Sequence, residues 1–117
     1  MLAVTALVGC GEKAVEIDYG DNNPKAKSAI EKEINYRANI RGEPTKSDLM
    51  KVKVLSLPYN EITDLSFLAG LTELEELYLG SNQLTDGQLK HLAGFRNLRE
   101  LYLSDNKISD ISTLSEL

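Results

Sequence analysis

Leu74-Glu75-Glu76-Leu77-Tyr78-Leu79-Gly80-Ser81-Asn82-Gln83-Leu84 decides how this chain folds, because its pattern recurs on both sides. Upstream stands Val52-Lys53-Val54-Leu55-Ser56-Leu57-Pro58-Tyr59-Asn60-Glu61-Ile62, and downstream Leu98-Arg99-Glu100-Leu101-Tyr102-Leu103-Ser104-Asp105-Asn106-Lys107-Ile108. All three fit L-x-x-L-x-L-x-x-N-x-L, with Val or Ile replacing Leu at some places, and their asparagines stand 22 and 24 residues apart. A period of that size marks a supersecondary unit that buries its apolar side only against its neighbours. Within a unit, leucines two apart, such as Leu77 and Leu79, share one face of a strand, and Tyr78 between them points the other way. An asparagine three residues beyond the strand falls between stacked coils, where its amide is tolerated if it meets neighbouring backbone groups. Asn60, Asn82 and Asn106 are therefore expected to form a buried ladder. The other reading of any one of them is a turn residue with positive φ.

These segments resemble the leucine-rich repeat family. The resemblance implies an α/β fold: a short leucine-rich-repeat solenoid, a right-handed β-α superhelix of about three repeats with a parallel concave sheet. The repeats would run 52–73, 74–97 and 98–117, the last incomplete. After Ile62, Leu65, Leu68 and Leu71 recur every three residues, as a 3₁₀-like convex return requires, and this is similar to the internalin-type repeat. After Leu84, Thr85 with Gln88 reads as a capping box, Leu89 and Leu92 share a side, and Gly94 can supply a left-handed stop. A short α-helix is expected there. Ile108 to Leu114 returns to the first pattern.

In front of the repeats, Asn23-Pro24 reads as an N-cap with proline at the first helical position, and Ala26, Ala29, Ile30 and Ile34 follow at helical spacing. The pattern predicts a helix from Pro24 to Tyr36, with Glu33 and Arg37 paired on its wet side and Gly42 and Pro44 breaking it. Thr45 and Asp48 make a second capping box before Leu49 and Met50. Residues 23–50 are similar to the N-terminal cap of internalin-like bacterial proteins, which implies a helical cover over Leu55. Residues 10–22 carry few apolar positions and read as a flexible tether.

The chain opens on an apolar run, Leu2 to Val8, too short to span a bilayer but long enough for a secretory leader over residues 1–9. Leu7-Val8-Gly9-Cys10 resembles a bacterial lipobox. That resemblance implies cleavage before Cys10, lipidation of its sulfur, and a place in the bacterial cell envelope, anchored to the membrane only by lipid and facing away from the cytoplasm. The alternative is an ordinary buried thiol on a short strand of a cytoplasmic protein.

Composition narrows the chemistry. With 117 residues there is room for one compact domain, and 13 Lys plus Arg against 18 Asp plus Glu, a net charge of -5, speaks against a nucleic-acid partner. One Cys and one His cannot build a zinc site or a disulfide framework, and no Gly-rich loop follows a strand, so neither metal nor cofactor is expected. His91 on a return segment and Glu75, Glu76 and Glu100 on a shallow surface have no water-excluding cleft, and no enzyme is expected.

The charge is uneven. Residues 12–53 hold nine Lys/Arg and eight Asp/Glu, whereas 54–117 hold four and ten. By motif position, the concave sheet presents Val54, Glu76 and Glu100 in one row, Ser56, Tyr78 and Tyr102 in the next, and Tyr59, Ser81 and Asp105 beyond. Tyrosine beside carboxylates suits a partner protein with a basic surface, with Tyr59, Glu76, Tyr78, Glu100, Tyr102 and Asp105 as contact residues; the competing reading is a solvated face. A non-catalytic protein-protein interaction module is the leading expectation. The alternatives are a structural or self-associating front part of a longer solenoid, and a binding module for an enzyme domain beyond this chain. Leu101, Leu103, Ile108, Ile111 and Leu114 in the last coil lack a cover, so the 117-residue form is expected to be either a fragment of a longer array or an edge-to-edge oligomer.

Overall fold

Each repeat contributes only three residues of strand, yet the repeat alignment and the strand register coincide. β1 (Val54–Ser56), β2 (Glu76–Tyr78) and β3 (Glu100–Tyr102) form a parallel sheet in the order β1-β2-β3. Leu55, Leu77 and Leu101 stand opposite one another, as do Ser56, Tyr78 and Tyr102. The ladder continues past the strands through Leu57 N–H to the Tyr78 carbonyl and Leu79 N–H to the Tyr102 carbonyl, both at 2.8 Å. The computed structural model describes residues 12–116, so the expected leader and the expected lipidation site Cys10 lie outside the described residues.

The chain returns from each strand through 3₁₀ segments at Ser66–Gly70, Asp86–Leu92 and Ser112–Glu116. Asp64 starts the first by accepting from the Ser66 amide at 2.8 Å, and Asp110 starts the third by accepting from Ser112 at 2.9 Å. The second return is not the α-helix expected from Thr85 and Gln88. Thr85 makes no side-chain cap, and Gln88 instead reaches sideways to accept the Leu65 amide of the preceding coil at 2.8 Å. Leu89 and Leu92, three apart and fully buried, fit the three-residue period of the tighter helix. Inside the coils, Leu55, Leu57, Leu65, Leu77, Leu79 and Leu84 form the core with the side chains of the cap.

α1 (Pro24–Ala38) is that cap. Asn23 accepts the Ala26 amide, and Ala26, Ile30, Ile34 and Ala38 bury one stripe at four-residue spacing. The helix runs two residues beyond Tyr36 because Asn39, not Gly42, ends it: Asn39 is left-handed at φ 58° and donates to Asn35 and Tyr36 carbonyls. Glu33 and Arg37 are not on a wet side. Their ion pair, 2.7 Å, lies against the sheet, and Glu33 also accepts the Ser56 amide at 2.8 Å, closing the outer edge of β1. α2 (Lys46–Leu49) is a single turn held by the reciprocal Thr45–Asp48 box. The Thr45 amide, with its hydroxyl and Lys51, keeps the Asp48 carboxyl below its ordinary range.

Residues 12–22 are not a free tether. Ala14 bridges Thr45, Val15 donates to the Pro44 carbonyl at 2.8 Å, and Val15, Ile17 and Tyr19 pack on the core. Asn22 is buried and ties this arm to the first repeat, accepting from Thr63 and Asp64 amides and donating to the Tyr19 and Asp64 carbonyls. The signal was present in the sequence, since Val15, Ile17 and Tyr19 alternate with Glu16 and Asp18 at the period of a half-buried strand. Gly20 makes the turn at φ +62°, where a Cβ would overlap the Asp64 carboxylate.

Candidate functional site

The asparagines hold the exposed sheet face in place from behind. Asn82 is buried and its Oδ1 accepts the Asn60 and Ile62 amides at 2.9 and 3.0 Å, while its Nδ2 donates to Leu57, Leu79 and Gly80 carbonyls. Asn106 repeats the arrangement, accepting from Leu84 and donating to Leu79, Leu103 and Ser104, but is only half-buried. Asn60 differs. No earlier repeat lies behind it, and its Nδ2 reaches only the Pro58 carbonyl, so the ladder has two full rungs rather than three. The positive φ falls one residue before each asparagine, at Tyr59, Ser81 and Asp105 (58°, 57° and 57°).

On the front of the sheet, Tyr78 and Tyr102 stack with ring centroids 4.8 Å apart and planes 10° from parallel. That separation is the spacing of neighbouring strands, so the backbone itself stacks the rings. The Tyr78 hydroxyl donates to Glu76 at 2.7 Å and to Glu100 at 3.1 Å. Hydrogen bonding to Glu76, then burial, then Glu100, pushes the Tyr78 phenol far above its ordinary range. Tyr102 lies at 3.5 Å from Glu100 and is half exposed. Thus Glu76, Tyr78, Glu100 and Tyr102 form one cluster. Asp105 sits one row away beside Ser81, at 3.4 Å, and Tyr59 stands on its own turn with 73% of its surface exposed.

One member of the cluster goes unnamed in the motif reading. Arg99 reaches Glu76 at 3.0 Å, Glu100 at 3.5 Å and Glu75 at 3.8 Å, partly neutralising the acidic row. Its signal was available: Leu98-Arg99-Glu100 aligned on Leu74-Glu75-Glu76 puts Arg99 opposite Glu75 and diagonal to Glu76, a cross-strand ion pair. The result is a flat aromatic platform with a carboxylate rim whose geometry is set before any partner arrives. The face is open to water, and among the described residues no group of three or more His, Cys, Asp or Glu could hold a metal ion.

No curated protein sequence matches the chain. Among solved structures it is similar to an internalin (inlF) of Listeria monocytogenes, at 41% identity over 60% of this chain and 21% of that one, with a TM-score of 0.57. It shares the fold of internalin C2 from the same organism, at 22% identity over 84% of this chain and 47% of that one, with a TM-score of 0.69. A structure of the CBM51-2 and INT domains of Clostridium perfringens ZmpB aligns at 27% identity over 74% of this chain and 18% of that one, with a TM-score of 0.52. The chain thus spans a fifth to a half of the length of these structures. The family model described as leucine rich repeats (2 copies) matches residues 51–94 and again 72–116, together more than half of the chain, on the coils whose strands and asparagines are described above. The chain belongs to the leucine-rich repeat family.

Proposed function

We propose that this protein is a non-catalytic protein-interaction module that presents the Tyr78–Tyr102 platform to a partner with a basic surface. The observation that carries the reading is the stack itself: two tyrosines held rigid by Glu76 and Glu100, so little side-chain freedom is lost when a partner lands on them. Aromatic anchors beside a charged rim are what protein interfaces concentrate their affinity in. The acidic balance of residues 54–117 favours a cationic partner, whose Lys or Arg can share the carboxylates with Arg99 or lie over the outer ring face. Tyr59 and Asp105 extend the contact along the adjoining row.

The test passes an envelope extract over the immobilised chain and over its Tyr78→Ser/Tyr102→Ser variant. A protein retained by the first and lost by the second, at an unchanged Tm, supports the reading; equal retention at both overturns it. In the same proposal Cys10 carries the lipid that fixes the module to a bacterial envelope membrane. Expressed with its leader in a Gram-negative host, the chain should then label with palmitate and enter the detergent phase, and Cys10→Ser should do neither. Labelling of the Ser variant would remove Cys10 as the acceptor.

Self-association is the second reading, favoured by one observation. β1 is covered by α1 and Glu33, but β3 has no neighbour on its outer side among the described residues.

A further inference from the structure

The segment from Ala14 to Tyr19 is an extended arm with alternating burial: Val15, Ile17 and Tyr19 turn inward, and Glu16 and Asp18 are exposed. Only its ends are tied. Ala14 and Val15 meet Thr45 and Pro44, and the Tyr19 carbonyl accepts from the Asn22 amide and side chain. Between those ties, the amides of Ile17 and Tyr19 and the carbonyls of Val15 and Ile17 bond to no other group among the described residues. In an extended chain the N–H and C=O of every second residue point the same way. Since Val15 donates to Pro44, the free groups of Ile17 and Tyr19 face the side on which Pro44 stands. A slot of about 800 Å³ opens on that side, walled by the arm, by Glu31, Ile34 and Asn35 of α1, and by the loop Gly42 to Pro44.

We propose that this slot receives an extended, basic segment of a partner protein, which adds as a strand to Ile17 and Tyr19 and continues the pairing that Pro44 and Thr45 begin. A row of donors and acceptors at strand spacing is matched only by another extended backbone. The charge of the slot selects its occupant. Its ionised side chains are the carboxylates of Glu16, Glu31 and Glu43 and the ammonium of Lys27, which lies over the Tyr19 ring at 5.5 Å. Lys or Arg on the incoming strand meets three carboxylates; a second copy of this arm would set Glu16 and Asp18 against their own equals. The site uses none of the residues of the tyrosine platform, and its failure leaves that platform untouched.

The experiment follows backbone amide exchange by NMR in the full chain, with acetyl-Lys-Val-Lys-Val-Lys-Val-amide as probe. At saturation the Ile17 and Tyr19 amides should exchange at least about tenfold more slowly, and the same peptide N-methylated at its valines should have no effect. Acetyl-Glu-Val-Glu-Val-Glu-Val-amide should not bind. Reversing two exposed charges, Glu16→Lys with Glu43→Lys, should weaken the lysine peptide at least about fivefold, whereas Tyr102→Ser should leave it unchanged. Absence of slowing at Ile17 and Tyr19, or equal slowing by the N-methylated or the acidic peptide, overturns the proposal. So does slowing without peptide that grows with protein concentration, which gives the slot to a second copy.

Discussion

Asn60, Asn82 and Asn106 occupy one motif position and do unequal work, because what an asparagine amide is worth depends on the coils on either side of it. Asn82, with five hydrogen bonds between two coils, should cost about 3 kcal/mol or more when replaced by alanine, since its backbone partners are left buried and unpaired. Asn106→Ala should cost about 1–2 kcal/mol because water reaches its partners, and Asn60→Ala under about 0.5 kcal/mol. Urea denaturation of the three variants checks this order, and equal losses would contradict it. Tyr78 supplies a second measurement at this scale. Of the five tyrosines, the phenol tied to Glu76 and Glu100 should remain protonated through the pH range in which ordinary phenols ionise, and in Glu76→Gln its titration should move down. Phenolate absorbance followed against pH reads the difference.

Among the elements, the strands and their register were legible because in-phase repeats must stack leucine on leucine and tyrosine on tyrosine. The rest was hidden for two reasons. Gln88 looks like a helix cap in one dimension, and only the neighbouring coil shows that its carbonyl is taken by Leu65. Asn22, Gly20 and Glu33 occur once each, so no repetition announces that they tie the arm and the β1 edge. The arm gives a direct test. Gly20→Ala forces φ +62° on a residue with a Cβ and pushes that Cβ into Asp64, and should destabilise the fold by about 2 kcal/mol in urea titration. Acid should loosen the same region. The carboxyls of Asp48 and Asp64 lie below their ordinary values, Asp48 through the Thr45 amide; for Asp64, burial acts upward but bonds from Ser66 and Asp21 outweigh it. A depressed folded value means a contribution that is present above the unfolded value of about 3.9 and is lost as pH falls through the folded one. The Tm deficit of Asp48→Asn relative to the parent should therefore shrink below about pH 4. A deficit constant from pH 7 to pH 2 would contradict it.

At the scale of the whole molecule the two ends of the sheet differ. α1 and Glu33 close the β1 side, while Leu98, Leu101, Leu103 and Ile108 of the last repeat are only partly buried and Ile111 is 61% exposed. Light scattering on the 117-residue form should show a species larger than one chain whose share falls on dilution, since an unpaired strand edge beside apolar side chains favours pairing. A monomer at every concentration would contradict this. The same asymmetry grades folding along the chain. In the 117-residue form the third coil, stacked on one neighbour, should exchange its amides faster than the two coils behind the cap, as expected where each repeat is stabilised by its nearest neighbours. Tyr102, half of the aromatic platform, belongs to that third coil. A partner that rests on both rings therefore also ties the third coil to the second. Binding across the stack should then slow amide exchange throughout the third coil, including at residues that the partner does not touch.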